Sequence, residues 1–110
     1  MQSIEILTLS ILAASAIVQR RFVAPDGTQA GAAANTLGVA SYDVATGDMA
    51  AVHVLGTTVV EAGGAVAAGA AIETDASGKA VTNAAGPVVG RALTAAAADG
   101  DLIEVLLIQN

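Results

Sequence analysis

A chain of 110 residues is one small domain, able to bury about two-thirds of the surface that its unfolded form exposes. Apolar residues make up 55%, but 27 of the 110 are alanine and only Phe22 and Tyr42 are aromatic; with no cysteine and one histidine, subunit association is the remaining aid to stability. Four basic residues against ten acidic ones give a net charge of -6, which suits solubility and argues against the phosphate neutralisation that a nucleic-acid partner requires.

The first element in chain order is the apolar run from Ile4 to Val18. It carries Glu5, Thr8, Ser10 and Ser15, so it is too short and too interrupted for a transmembrane helix of about 20 apolar residues, and no membrane partner is expected. Ala14-Ser15-Ala16 has the form of a cleavage site, but no basic residue precedes the run and Glu5 lies at its start, against a signal peptide. As a strand, the run places Ile4, Ile6, Thr8, Ser10 and Leu12 on one face and Glu5, Leu7, Leu9 and Ile11 on the other. As a helix, Leu7, Ile11, Ala14 and Val18 form a stripe. The density of Ile, Leu and Thr favours the strand. Left free, such an edge invites aggregation, so it must dock. Residues 1–19 are therefore read as an N-terminal arm or first strand, and residues 20–110 as a single β domain.

Within that domain two stretches share a pattern: Leu37 to Leu55 and Val89 to Leu107. Each has an apolar residue and glycine (Leu37-Gly38, Val89-Gly90), an alanine two residues later (Ala40, Ala92), a loop, and Gly-Asp (Gly47-Asp48, Gly100-Asp101) before an apolar run. Asp26-Gly27 and the Asp75 to Gly78 segment precede them at comparable places. A pair of related strand-turn-strand units is the simplest physical account. Val52 and Val54 alternate with His53 and Leu55, and Ile103, Val105 and Leu107 alternate with Leu102, Glu104 and Leu106, the period of strands. Both faces of the last run are largely apolar, so it is expected to be buried on both sides or to sit at a subunit contact. Turn signals at Pro25-Asp26-Gly27, Thr46-Gly47-Asp48, Gly63-Gly64, Asp75 to Gly78 and Asp99-Gly100 space these runs as a small β-barrel or sandwich requires. The alanine runs Ala67 to Ala71 and Ala95 to Ala98 favour helix by propensity, but each is too short for more than a single turn.

The residues offer little chemistry. Gly78-Lys79 is followed by Ala80, so the phosphate-loop pattern fails, and Gly63-Gly64 with Gly69 makes no dinucleotide fingerprint. His53 has no carboxylate close in sequence and reads as a strand histidine facing solvent or a neighbouring subunit. Asp48, Asp99 and Asp101 suit turns, and the twelve-residue calcium loop is missing. Lys79 lacks the flanking methionine of a swinging-arm carrier. No enzyme activity, cofactor or metal is expected.

Several stretches carry a resemblance to a known family: RFVAPDG from Arg21 to Gly27, LGVA from Leu37 to Ala40, Gly47-Asp48 before a strand, the segment from Val60 to Val81, and GPVVGRAL leading into GDLIEVLL. In order and spacing they resemble the head-decoration, or capsid cement, proteins of tailed bacteriophages, from about Thr8 to Leu107. The family's usual acidic residue after the glycine at Gly69 is replaced here by Ala70. The resemblance implies an all-β virion protein, often a homotrimer, on the outer capsid surface. There it would bridge and stabilise capsomers of the major capsid protein, its partner. Ile4, Ile6, Leu7, Leu9, Ile11 and Leu12, with Arg91, are the expected capsid or subunit interface. The rival reading is a secreted or cell-surface adhesion module.

Overall fold

The structure, a computed structural model, describes residues 3–110. Eight strands follow in order: β1 (Ile4–Leu12), β2 (Phe22–Val23), β3 (Gly38–Ala40), β4 (Met49–Glu61), β5 (Ala71–Thr74), β6 (Ala80–Thr82), β7 (Gly90–Ala92) and β8 (Leu102–Leu107). No helix occurs among the described residues. The all-β class and the extended first strand match the sequence expectation. Alanine near Thr94 to Ala98 forms a bend in place of a helical turn, because Ala96 exchanges two backbone hydrogen bonds with Val66 (3.0 and 2.8 Å).

Neighbouring strands run in the order β2-β3-β4-β8-β7-β5-β6, with β1 added to β4, and every paired strand is antiparallel. The long strand β4 organises the molecule. Its first half lies beside β1 and β3, and its second half pairs with β8. Ala62, just past β4, bridges to Ala80 of β6 in parallel, and the Gly63 N–H donates to the Ala80 carbonyl at 2.8 Å. That contact nearly closes β4, β8, β7, β5 and β6 into a small barrel. Such closure hides edges that would otherwise recruit other chains.

Alternation decides what lies inside. In β4, Val52, Val54 and Val60 are buried while their neighbours are half-exposed. The larger buried cluster holds Phe22, Val39, Val60, Ile72, Val89, Ile103 and Val105 with several alanines. A smaller one holds Ala13, Ile17, Val23, Ala40, Val44, Ala50, Val52 and Val54, with Ile11, Leu37 and Leu55 against it. Ala40 and Ala92 are buried, and glycine lets the strands approach closely at Gly38 and Gly90. A Cβ on Gly38 would lie 2.0 Å from the His53 carbonyl oxygen, and one on Gly90 would lie 2.5 Å from Val105 Cγ1.

Backbone contacts recur along the chain at nearly constant offsets. β1 meets β4 with Leu9 opposite Val52 and Ile11 opposite Ala50; β4 meets β8 with Thr58 opposite Val105 and Val60 opposite Ile103. Val39 opposite His53 recurs as Arg91 opposite Leu106. Ile17 and Val44 exchange paired hydrogen bonds, as do Val66 and Ala96. The Gly47 N–H donates to the Ala13 carbonyl, and the Gly100 N–H donates to the Ala62 carbonyl. Through these contacts Ala13, Ile17, Val23, Ala40, Val44, Ala50 and Val52 hold the places of Ala62, Val66, Ile72, Ala92, Ala96, Ile103 and Val105. The hairpin β5–β6 departs from the pattern, with longer strands than its counterpart around Val23 and Gln29.

Candidate functional site

β1 is the exposed apolar element. Ile4, Ile6 and Leu12 are 57%, 77% and 62% accessible, and Leu7 and Leu9 are exposed as well. Ile11 differs: it is half-buried and packs on the smaller cluster. Strict two-face alternation fails along β1, because the register slips between Glu5 and Leu7 and again between Leu7 and Thr8. One strand edge of β1 is taken by β4, its only partner among the described strands. Met49, opposite Leu12, and Tyr42, whose hydroxyl donates to the Met49 carbonyl, extend the apolar surface at one end.

A second exposed apolar area lies on β8 and β7. Leu106 and Leu102 face outward while Ile103 and Val105 are buried, so β8 is not covered on both sides within one chain. Arg91 stands opposite Leu106, exposed, with its Nη1 donating to the Gly69 carbonyl at 2.9 Å. Exposed apolar side chains become interaction sites where they form a contiguous patch.

Polar groups gather beside the root of β1. The Ser3 hydroxyl donates to Glu5 Oε1, His53 Nε2 lies 3.6 Å from the same oxygen, and His53 Nδ1 is 3.1 Å from Thr58 Oγ1. The Ser3 hydrogen bond holds the Glu5 carboxyl below its ordinary range. His53 thus meets a carboxylate that sequence distance concealed. A recess of about 160 Å³ opens next to Ser3, Gln19, Arg20 and His53, smaller than the roughly 300–1,000 Å³ of small-molecule pockets. The Ser3 hydroxyl points to the carboxylate and not to the imidazole, so the arrangement ties the arm to β4 and does not form a nucleophile-base pair.

Several other charges are engaged within the fold. Glu61 lies 3.3 Å from both Arg21 and Lys79, and Lys79 reaches Asp99 at 2.9 Å. That contact with Asp99, and then Glu61, pushes the Lys79 ammonium above its usual value. Lys79 is engaged, not swinging. Asp75 and Asp101 accept backbone N–H groups of their own turns, as the sequence suggested for Asp101. Asp99 instead takes the lysine. No group of three metal-ligating side chains occurs among the described residues.

The sequence matches the phage cement protein family over residues 1–107. The chain belongs to that family. The family is a structural one of phages, not a family of enzymes. The fold is also similar to the crystal structure of the head fiber gp8.5 N base in bacteriophage phi29, with a TM-score of 0.76, 25% identity and 93% of each chain covered. Comparison with curated protein sequences gives no match.

Proposed function

We propose that the protein binds the outer surface of an icosahedral phage head and stabilises it by bridging neighbouring subunits of the major capsid protein, acting as a homotrimer. The observation that carries this reading is family membership over nearly the whole chain. The likeness to a phi29 head fiber base supports a place on the head. The exposed apolar residues of β1 and the outward Leu102 and Leu106 supply surface for contacts beyond the single chain. Each contact to the shell can be weak, because contacts made by one oligomer combine through effective concentration. Binding that favours the assembled shell over its dissociated parts stabilises the shell by mass action.

The test is to add purified protein to heads that lack it. Saturable occupancy, with heads that rupture at a higher temperature, is the expected result. Failure to bind, or binding without any gain in rupture temperature, overturns the reading. Deleting Met1 to Leu12 abolishes or greatly weakens occupancy while circular dichroism still shows a folded β core, since the larger buried cluster contains no side chain of β1. Unchanged occupancy by that variant removes β1 from the interface.

A further inference from the structure

The recurring contacts divide the chain into a first unit, β1 to the first half of β4, and a second unit, the second half of β4 to β8. Phe22 and Val39 belong to the first unit, yet they are fully buried within the cluster of the second, together with Val60 and Val89. Beside them His53 meets Thr58, Arg21 meets Glu61, and the Glu61 N–H donates to the Arg20 carbonyl at 2.9 Å. These are the contacts by which the second unit docks on the first.

The same face exists on the second unit and is open. Ala71, Arg91 and Leu106 stand where Phe22, Val39 and His53 stand, since Phe22 pairs with Val39 as Ala71 pairs with Arg91. The covering side also exists a second time, on the first unit, where Ile11, Leu37, Leu9 and Leu12 are the counterparts of Val60, Val89, Thr58 and Glu61. We infer that the chain is two copies of one β unit docked head to tail, and that the open face of its second unit takes the Leu9 to Leu12 end of β1 and Leu37 of a second copy of this chain in the same geometry. This specifies the self-association in the proposed function, and it is tested without heads.

The two sides of the open joint match each other in character. Within the chain the joint holds a polar pair, His53 with Thr58, and an ion pair, Arg21 with Glu61. Between copies the counterparts are Leu106 with Leu9 and Ala70 with Leu12, so both members of each pair are apolar. Leu9, Leu12 and Leu106 are 37%, 62% and 42% accessible in the single chain. Docking covers all three, which stand among the exposed apolar side chains that would otherwise promote aggregation. The Gly69 carbonyl, counterpart of the Arg20 carbonyl, faces the incoming Leu12 N–H and already holds the Arg91 guanidinium. Folding back onto that carbonyl lets Arg91 offer its aliphatic stem where Val39 offers a side chain. The contact is heterologous: it joins unlike faces, and the homotrimer proposed above requires it to close by rotation into a ring, not a two-fold dimer.

The chain has no cysteine, so engineered pairs report the joint directly. Leu9→Cys and Leu106→Cys proteins are mixed and oxidised, and covalent species are weighed. The mixture gives a covalent pair of twice 10.6 kDa; neither variant alone does. Leu102→Cys in place of Leu106→Cys gives none, because Leu102 is the counterpart of Met49, which lies beyond His53 from Thr58 along β4. A second pair, Leu12→Cys with Ala70→Cys, behaves as the first does and guards against one variant misfolding. Like-with-like crosslinks, equal crosslinking by Leu102→Cys, or a monomer in sedimentation at every concentration overturns the inference. A monomer that still decorates heads overturns it while leaving the head-binding function intact.

Discussion

Arg20 and Gly69 occupy matching places: the Arg20 N–H donates to the Ala40 carbonyl, and the Gly69 N–H donates to the Ala92 carbonyl. Both have left-handed backbones, φ 64° and 87°. Glycine takes that conformation freely, whereas a side chain costs roughly 1–2 kcal/mol there, offset by about 0.5–1 kcal/mol of extra chain entropy lost by glycine. Arg20→Gly therefore raises stability by up to about 1.5 kcal/mol, read as a higher urea midpoint at unchanged slope. A lower midpoint shows that the arginine side chain holds a contact worth more than the strain. Individual polar roles were the least legible part of the sequence. The turn role of Asp101 could be read because its hydrogen bonds close within four residues. The Glu5–His53 contact, spanning 48 positions, and the Lys79–Asp99 pair depend on which strands become neighbours, and no local pattern records that.

Strands were legible where period two survives, as in Val52–Val54 and Ile103–Val105. β4 was legible only from Val52 to Leu55; in the structure it runs on through Gly56, whose φ of 99° turns the strand without ending it. The outward face of β8 shows the limit of hydropathy, which measures how apolar a side is and not what covers it. Leu102 and Leu106 read as buried or as a contact, and only the fold separates these. Packing of β3 and β7 gives a sharper test of the paired architecture. At Gly38 an added methyl meets the His53 carbonyl, a backbone atom fixed in the sheet, whereas at Gly90 its nearest obstacle is Val105 Cγ1, a side-chain atom that can shift. Gly38→Ala is expected to cost about 3 kcal/mol or more and Gly90→Ala about 1–2 kcal/mol, on the scale of overpacking. Chemical denaturation of the two variants checks the order, and equal losses would mean that β7 is as rigidly held as β3.

At the scale of the molecule, a net charge of -6 repels itself, and the fold answers by giving carboxylates many donors. Glu73 accepts the N–H groups of Ala84, Ala85 and Gly86, foremost Ala84, and they draw its carboxyl below the ordinary range. The Thr28 hydroxyl does the same for Asp26, and Ser3 for Glu5. A carboxyl whose folded pKa is depressed contributes its stability fully above the ordinary carboxylate value, and that contribution is lost as pH falls through the depressed one. Melting temperature should therefore hold from neutrality down to the ordinary carboxylate range and fall below it. Lys79 works in the opposite direction: its raised pKa makes its contribution complete below the ordinary lysine value and lost only as pH climbs past it. Glu73→Gln separates this account from simple relief of repulsion. Removing a negative charge from an acidic protein would raise stability at neutral pH if repulsion dominated. If the three backbone donors dominate, the variant melts lower at neutral pH and loses less on acidification, so that the two melting curves converge in acid. Thermal melts of both proteins across that range distinguish the outcomes, and a variant that melts higher at neutral pH would show that the loop from Ala84 to Gly86 keeps its shape without a carboxylate to hold it.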